Sequence, residues 1–141
     1  MADPLLLLVE DEPLIALSIQ DCLEEAGHSV CYASSGIEAE QALEAGEPPI
    51  YALLTDIRCG PGADGWELSR KARERDPAIP VVYISGDSAG DHATHGVPDS
   101  VMIQKPFAPA KLIAAVESLL GARDNVCASR PAPAEVQIAA P

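Results

Sequence analysis

The chain has 141 residues, enough for one ordinary domain and too few for two sizeable ones. Hydrophobic residues make up 48% and charged residues 22%, so a core can form and disorder is excluded as the main state. Acidic residues outnumber basic ones by 22 to 9, a formal charge of −13, whereas a nucleic-acid binder needs clustered Lys and Arg on one face. Cys22, Cys31, Cys59 and Cys127 show no CxxC spacing, which suggests neither a zinc site nor a disulfide frame. The apolar run 5–9 has Asp3 before it and Glu10 after it, too short an interval for a signal peptide or a membrane span. The expectation is a soluble, cytoplasmic protein that binds neither nucleic acid nor membrane.

Short apolar runs alternate with amphipathic stretches along the chain. Residues 5–9 read as a strand covered on both faces, as in a parallel sheet. Residues 14–26 follow as a helix with Ile15, Ile19, Cys22, Leu23 and Ala26 on one stripe, and Gly27 supplies the stop. A strand over 30–33 precedes a helix over 35–46, with Ala39, Ala42 and Leu43 facing inward and Gly46 closing it. After a third strand, 50–55, Asp64 caps a helix over 64–76 whose outer face is strongly charged and whose Trp66 and Leu68 pack inward. The fourth apolar run, 79–85, leads into residues 86–98, rich in Gly, where a short helix at most is expected and His92 and His95 should be solvated. A last strand, 101–104, precedes a helix over 108–120 with Leu112, Ile113, Val116, Leu119 and Leu120 on its stripe and Gly121 at its end. Residues 122–141 turn Ala- and Pro-rich and read as a disordered tail behind a domain spanning 1–121.

Five strands alternating with helices imply an α/β fold, a doubly wound five-stranded parallel sheet with helices on both faces. Ligands of such sheets bind beyond the carboxyl ends of the strands. Reactive residues fall at those ends: Glu10 and Asp11 after the first strand, Asp56 after the third, Ser85 after the fourth and Lys105 after the fifth. Three converging carboxylates repel one another, and adding Lys105 still leaves a formal −2 that a divalent cation would neutralise. Oxygen ligands without His or Cys favour Mg²⁺ over zinc. A carboxylate held beside Mg²⁺ and a lysine can attack a phosphoryl group, with a small hydroxyl such as Ser85 bonding the bound group.

ValGluAspGlu at 9–12, ThrAspIleArg at 55–58 with AspGlyTrpGluLeu eight residues on, ValValTyrIleSerGly at 81–86 and LysProPhe at 105–107 together resemble the receiver domain of two-component response regulators over residues 5–121. The resemblance implies a flavodoxin-like sheet of order 2-1-3-4-5. It also implies Asp56 as phospho-acceptor, and Mg²⁺ held by Asp11, Glu10, Asp56 and the backbone carbonyl of Arg58. Ser85 would be the switch hydroxyl and Lys105 the phosphoryl contact. A stand-alone receiver would take its phosphoryl group from a histidine kinase or histidine phosphotransfer protein and signal to a downstream protein, the residues after Gly121 being too few for an effector domain. Leu14 and Leu17, with Pro106 and Phe107, would form the docking patch for that donor.

Two departures stand out. The family's aromatic switch position, three before the lysine, is Met102, and the loop after Asp56 is one residue longer than the commonest spacing. The resemblance implies that the residues two beyond the acceptor and two beyond the switch hydroxyl, here Arg58 and Asp87, flank the path of the hydrolytic water, and their opposite charges would let them pair over the phosphoryl group. The alternative reading is a pseudo-receiver that docks partners without phosphorylation. A haloacid dehalogenase would need a second Asp where Arg58 stands, a cobalamin domain a His there, and a flavodoxin a Gly- and hydroxyl-rich loop in place of GluAspGluPro.

Overall fold

The computed structural model describes residues 5–46, 49–58, 60–86 and 92–128. Five strands, β1 (Leu5–Val9), β2 (Ser29–Ala33), β3 (Ile50–Asp56), β4 (Val81–Ser85) and β5 (Val101–Gln104), alternate with helices. The helices are α1 (Pro13–Glu25), α2 (Gly36–Ala45), α3 (Gly65–Arg75), the single turn α4 (His92–His95) and α5 (Pro109–Ala128). The strands pair in parallel in the order β2-β1-β3-β4-β5. Parallel neighbours require crossovers, so helices cover both faces and the strands are apolar throughout.

Alternation along each strand divides the core in two. Leu7, Val9, Leu53, Val81 and Tyr83 pack toward α2 and α3, beside Ala39, Leu43, Leu68 and Ala72. Leu6, Leu8, Leu54, Val82, Ile84 and Ile103 pack toward α1 and α5, beside Ile19, Leu23, Leu112 and Val116. The same parity continued past the strand ends assigns Glu10, Asp56 and Lys105 to the α1/α5 side of the sheet. Ser85 and Met102 take the side of Tyr83.

Helix boundaries follow the local chemistry. Pro13 opens α1, Ser35 caps α2 through the Glu38 amide, and Gly46 closes α2 in the left-handed region at φ 70°. Asp64 and Glu67 form a reciprocal capping box at α3, which starts that helix eight residues after Asp56.

Four expectations need correction. The stripe of α1 centres on Ala16, Ile19 and Leu23, and Ala26 lies outside it, exposed at the C-cap. β4 begins at Val81: Pro80 has no N–H for a ladder, although its carbonyl still accepts from Leu53 N at 2.9 Å. α5 runs through Gly121 to Ala128, since no breaker intervenes before Pro131 and a glycine within a helix costs only about 1 kcal/mol. The rest of the expected tail, 129–141, lies outside the described residues. His92 is half-buried, hydrogen-bonded to Ser100 Oγ at 2.8 Å and set edge-on to Tyr83, so it is a packing residue and not a solvated one.

Candidate functional site

The carboxyl ends of β1, β3 and β5 bring four charged side chains to one rim. Glu10 follows β1 directly and is fully buried, Asp56 ends β3 with 8% of its surface exposed, and Asp11 is exposed. One carboxylate oxygen from each of the three lies within 4.8 Å of the others. Lys105 bridges two of them: its Nζ donates to Glu10 Oε1 at 3.1 Å and to Asp56 Oδ2 at 2.9 Å.

Backbone donors and acceptors fix the set. Glu12 N–H donates to Glu10 Oε2 at 3.2 Å, and Arg58 N–H to Asp56 Oδ1 at 3.4 Å. Thr55 Oγ1 donates to the Asp56 carbonyl at 2.7 Å. The Lys105 N–H donates to the Ser85 carbonyl at 2.7 Å, which ties the ends of β4 and β5 together; Ser85 itself is buried. Gly65 lets α3 approach the acceptor strand, for a Cβ there would lie 2.5 Å from the Asp56 carbonyl oxygen.

Charge balance dominates the electrostatics. Burial, then the charge of Asp56, raise the Glu10 carboxyl to about 7 against the opposing pull of Lys105. Partial burial draws the Lys105 ammonium down, but its hydrogen bonds to Asp56 and Glu10 outweigh that, so the net shift is upward. One lysine therefore does not neutralise the cluster. Three hard oxygen donors with uncompensated negative charge and no His or Cys among them suit Mg²⁺, which prefers carboxylates and retained water.

Of the site residues expected from the sequence, Glu10, Asp11, Asp56, Arg58, Ser85 and Lys105 stand at the carboxyl ends of the strands. The structure brings Glu10, Asp11, Asp56 and Lys105 into one cluster, with Ser85 on the neighbouring strand end. Arg58 enters through its amide N–H. Asp87, the other half of the expected pair over the acceptor, lies outside the described residues, as does Cys59 of the lengthened loop. That loop packs against the start of α2: Ile37 N–H donates to the Pro61 carbonyl at 3.2 Å, and a Cβ on Gly36 would strike Ala63.

One contributor escapes sequence reasoning. Tyr32 Oη donates to the Glu10 carbonyl at 2.7 Å across the sheet edge. Burial and the charges of Glu10, Glu38 and Asp11 push its phenol up, which keeps it protonated and a donor at neutral pH. An aromatic one residue before a strand end gives no local signal of such a contact.

Between α1 on one side and the segment after β5 with the start of α5 on the other lies an open groove of about 520 Å³, lined by Leu14, Ile15, Ile19, Cys22, Phe107 and Leu112 among others, with Lys105 at its edge. Leu14 is 83% and Leu17 56% exposed, large values for apolar side chains beside an acidic rim.

A doubly wound sheet with an acidic triad and a lysine at its carboxyl edge defines a class of phosphate-handling α/β domains. The response regulator receiver domain model matches residues 6–117, and the chain belongs to that family, the receiver domains of two-component response regulators. The response regulator receiver protein CpdR of Brucella abortus (strain 2308) is 33% identical over 117 residues, 82% of this chain and 95% of CpdR. A solved receiver protein from Sinorhizobium medicae WSM419 is 45% identical with a TM-score of 0.83, covering 86% of this chain and 97% of its own. The receiver domain of sensor histidine kinase PA1611 from Pseudomonas aeruginosa PAO1, solved with magnesium in its active-site cleft, is 25% identical with a TM-score of 0.71, covering 85% and 99%. Other curated relatives are longer, and the chain spans 43% and 24% of two of them. Receiver domains are signalling modules and not conventional enzymes, and the cluster of Glu10, Asp11 and Asp56 fits their magnesium site. Among the described residues no helix is long and apolar enough to cross a membrane.

Proposed function

We propose that this chain is a phospho-acceptor in a two-component relay, taking a phosphoryl group onto Asp56 from a histidine kinase or histidine phosphotransfer protein. The observation that carries the reading is the bridging of Lys105 to both Glu10 and Asp56 within a triad of carboxylates. Glu10, Asp11, Asp56 and the Arg58 carbonyl would hold Mg²⁺. The ion supplies neutralisation of phosphoryl oxygens that carry the charge of the transition state.

The protein's own groups do the remaining work. Asp56, anchored through its carbonyl by Thr55 and through Oδ1 by Arg58 N–H, presents a carboxylate whose oxygen attacks phosphorus. The P–N bond to the donor imidazole breaks as the P–O bond forms, and the imidazole leaves with the electron pair. Lys105 passes from carboxylate to phosphoryl oxygen over a short distance, since its Nζ already sits 2.9 Å from Asp56 Oδ2. Ser85, on the next strand end, donates its hydroxyl to the bound phosphoryl group.

The donor docks on the groove beside this rim. Leu14 lines the groove with Pro106 and Phe107, Leu17 adds exposed apolar surface on the same helix, and burying such surface contributes about 25 cal/mol per Å². The phosphorylated domain then signals through contacts with a downstream protein.

The test is intact mass after incubation with acetyl phosphate and Mg²⁺. Wild type gains one phosphoryl adduct of about 80 Da, and Asp56→Asn gains none. Absence of the adduct on wild type would leave the pseudo-receiver reading, docking without phosphorylation, in its place.

A further inference from the structure

The carbonyl of Glu10 occupies an exposed position in the hydrogen-bonding scheme. β1 ends at Val9, so the ladder to β2 supplies a partner for the Glu10 N–H, which donates to the Ala33 carbonyl at 3.1 Å, and, among the described residues, no backbone donor for its carbonyl. Tyr32, paired with Leu8 in the β1–β2 register, reaches past the strand end and donates its phenol to that oxygen at 2.7 Å. The side chain thereby adds one rung to the sheet at its carboxyl edge.

That rung falls on the peptide unit joining Glu10 to Asp11. Fixing the direction of this carbonyl fixes the plane of the peptide, because the peptide is rigid and only ψ of Glu10 and φ of Asp11 remain soft. Those two angles set how the Asp11 carboxylate stands to the carboxylates of Glu10 and Asp56. Glu10 is already held by Lys105 and by Glu12 N–H, and Asp56 by Lys105 and Arg58 N–H. Asp11 is the exposed member, directly following the peptide that Tyr32 grips. From this geometry we infer that Tyr32 is a positioning residue for the cation site, orienting Asp11 through the Glu10 carbonyl without touching the ion itself. The inference rests on the reading of Glu10, Asp11 and Asp56 as Mg²⁺ ligands.

Tyr32→Phe isolates the contact, for it deletes one hydroxyl from a ring that is 37% exposed on an edge strand and leaves the ring in place. Mg²⁺ alone is titrated calorimetrically into the full chain, wild type and variant, and urea unfolding of both is followed in EDTA. Loss of one orienting hydrogen bond should weaken Mg²⁺ binding about three- to tenfold. The Mg²⁺ concentration that gives half-maximal labelling by acetyl phosphate should rise by the same factor. A variant whose Mg²⁺ affinity matches wild type overturns the inference, whatever its stability in EDTA, and makes Tyr32 a residue of the fold alone. So does a lower labelling maximum with unchanged Mg²⁺ dependence. If wild type itself takes up no Mg²⁺, the ligand assignment falls and the inference with it; if wild type binds and the variant equals it, the inference alone falls.

Discussion

Replacing Asp56 by Asn in the metal-free protein removes one of three converging carboxylate charges while keeping the size of the side chain and an acceptor oxygen opposite Lys105. The consequence is read through Glu10. Its carboxyl is raised from 4.5 to about 7 in the fold, so the folded state binds a proton that the unfolded state has released. The stabilisation this represents is complete below pH 4.5 and is lost as pH rises through about 7. Over the full span it amounts to about 3 kcal/mol at 1.36 kcal/mol per unit. Burial is the larger cause and the Asp56 charge the second, so removing that charge lowers the Glu10 carboxyl toward its ordinary range and returns part of this stabilisation at higher pH.

Asp56→Asn also loses the charge of the Lys105 bond at every pH, so the Glu10 effect is read as a difference: relative to wild type the variant should gain stability between pH 5 and pH 8 in EDTA, by about 1 kcal/mol for each unit its Glu10 carboxyl falls. Urea unfolding followed through the lone tryptophan, Trp66, which is buried against Tyr83, reads the difference directly. Saturating Mg²⁺ should shift the comparison toward wild type, since the ion stabilises the protein that binds it and the variant would lack one of the proposed ligands. A difference from wild type that is the same at pH 5 and pH 8 would refute the repulsion on which the argument turns.

Two further outcomes follow from the same geometry. Leu14→Asp should slow phosphoryl transfer from a phosphohistidine protein about tenfold by placing a charge in the apolar docking patch, with labelling by acetyl phosphate unaffected; equal loss with both donors would count against docking at this groove. Gly65→Ala should cost about 1–3 kcal/mol by urea unfolding, because its Cβ would meet the Asp56 carbonyl oxygen at 2.5 Å and Ile57 Cα at 2.9 Å, backbone atoms that cannot turn aside as a flexible side chain does; a change below about 0.5 kcal/mol would mean that α3 has room to withdraw.

The architecture and most of the rim were legible because both rest on signals with short range. Short, nearly continuous apolar runs and capped amphipathic stretches give the alternation of strand and helix, and the strand ends then name Glu10, Asp11, Asp56, Ser85 and Lys105. What stayed hidden depends on contacts distant in sequence. The Tyr32 phenol meets the Glu10 carbonyl 22 residues away, and His92 finds Ser100 and Tyr83 only once α4 is laid against β4. Gly121 misled for a related reason. A glycine near the end of an apolar stripe is a stop signal only where the chain turns left-handed, and α5 continues past it to Ala128.

The same distinction bears on how a change at Ser85 can leave the site. An aromatic side chain free to rotate is missing from position 102, yet aromatic bulk is present on that face: Tyr83 lies directly across the β4–β5 register from Met102. Tyr83 is fully buried, with Trp66 at 4.7 Å and the His92 ring at 5.6 Å. Its hydroxyl donates to Ser69 Oγ at 2.6 Å and accepts from Val97 N–H at 3.0 Å. Rotating this ring would strand a buried amide at a cost of about 1–3 kcal/mol, besides breaking the aromatic packing. Tyr83 is thus a clamp and not a swinging gate. Two residues before Ser85 along β4, it joins α3, through Ser69, to the segment that carries Val97. Displacement of the β4 end has to carry that segment with it as one packed unit, because cores repack between discrete arrangements and do not deform continuously. A change at the β4 end would then reach α4 and the turn before β5 together, in place of a single side chain changing rotamer.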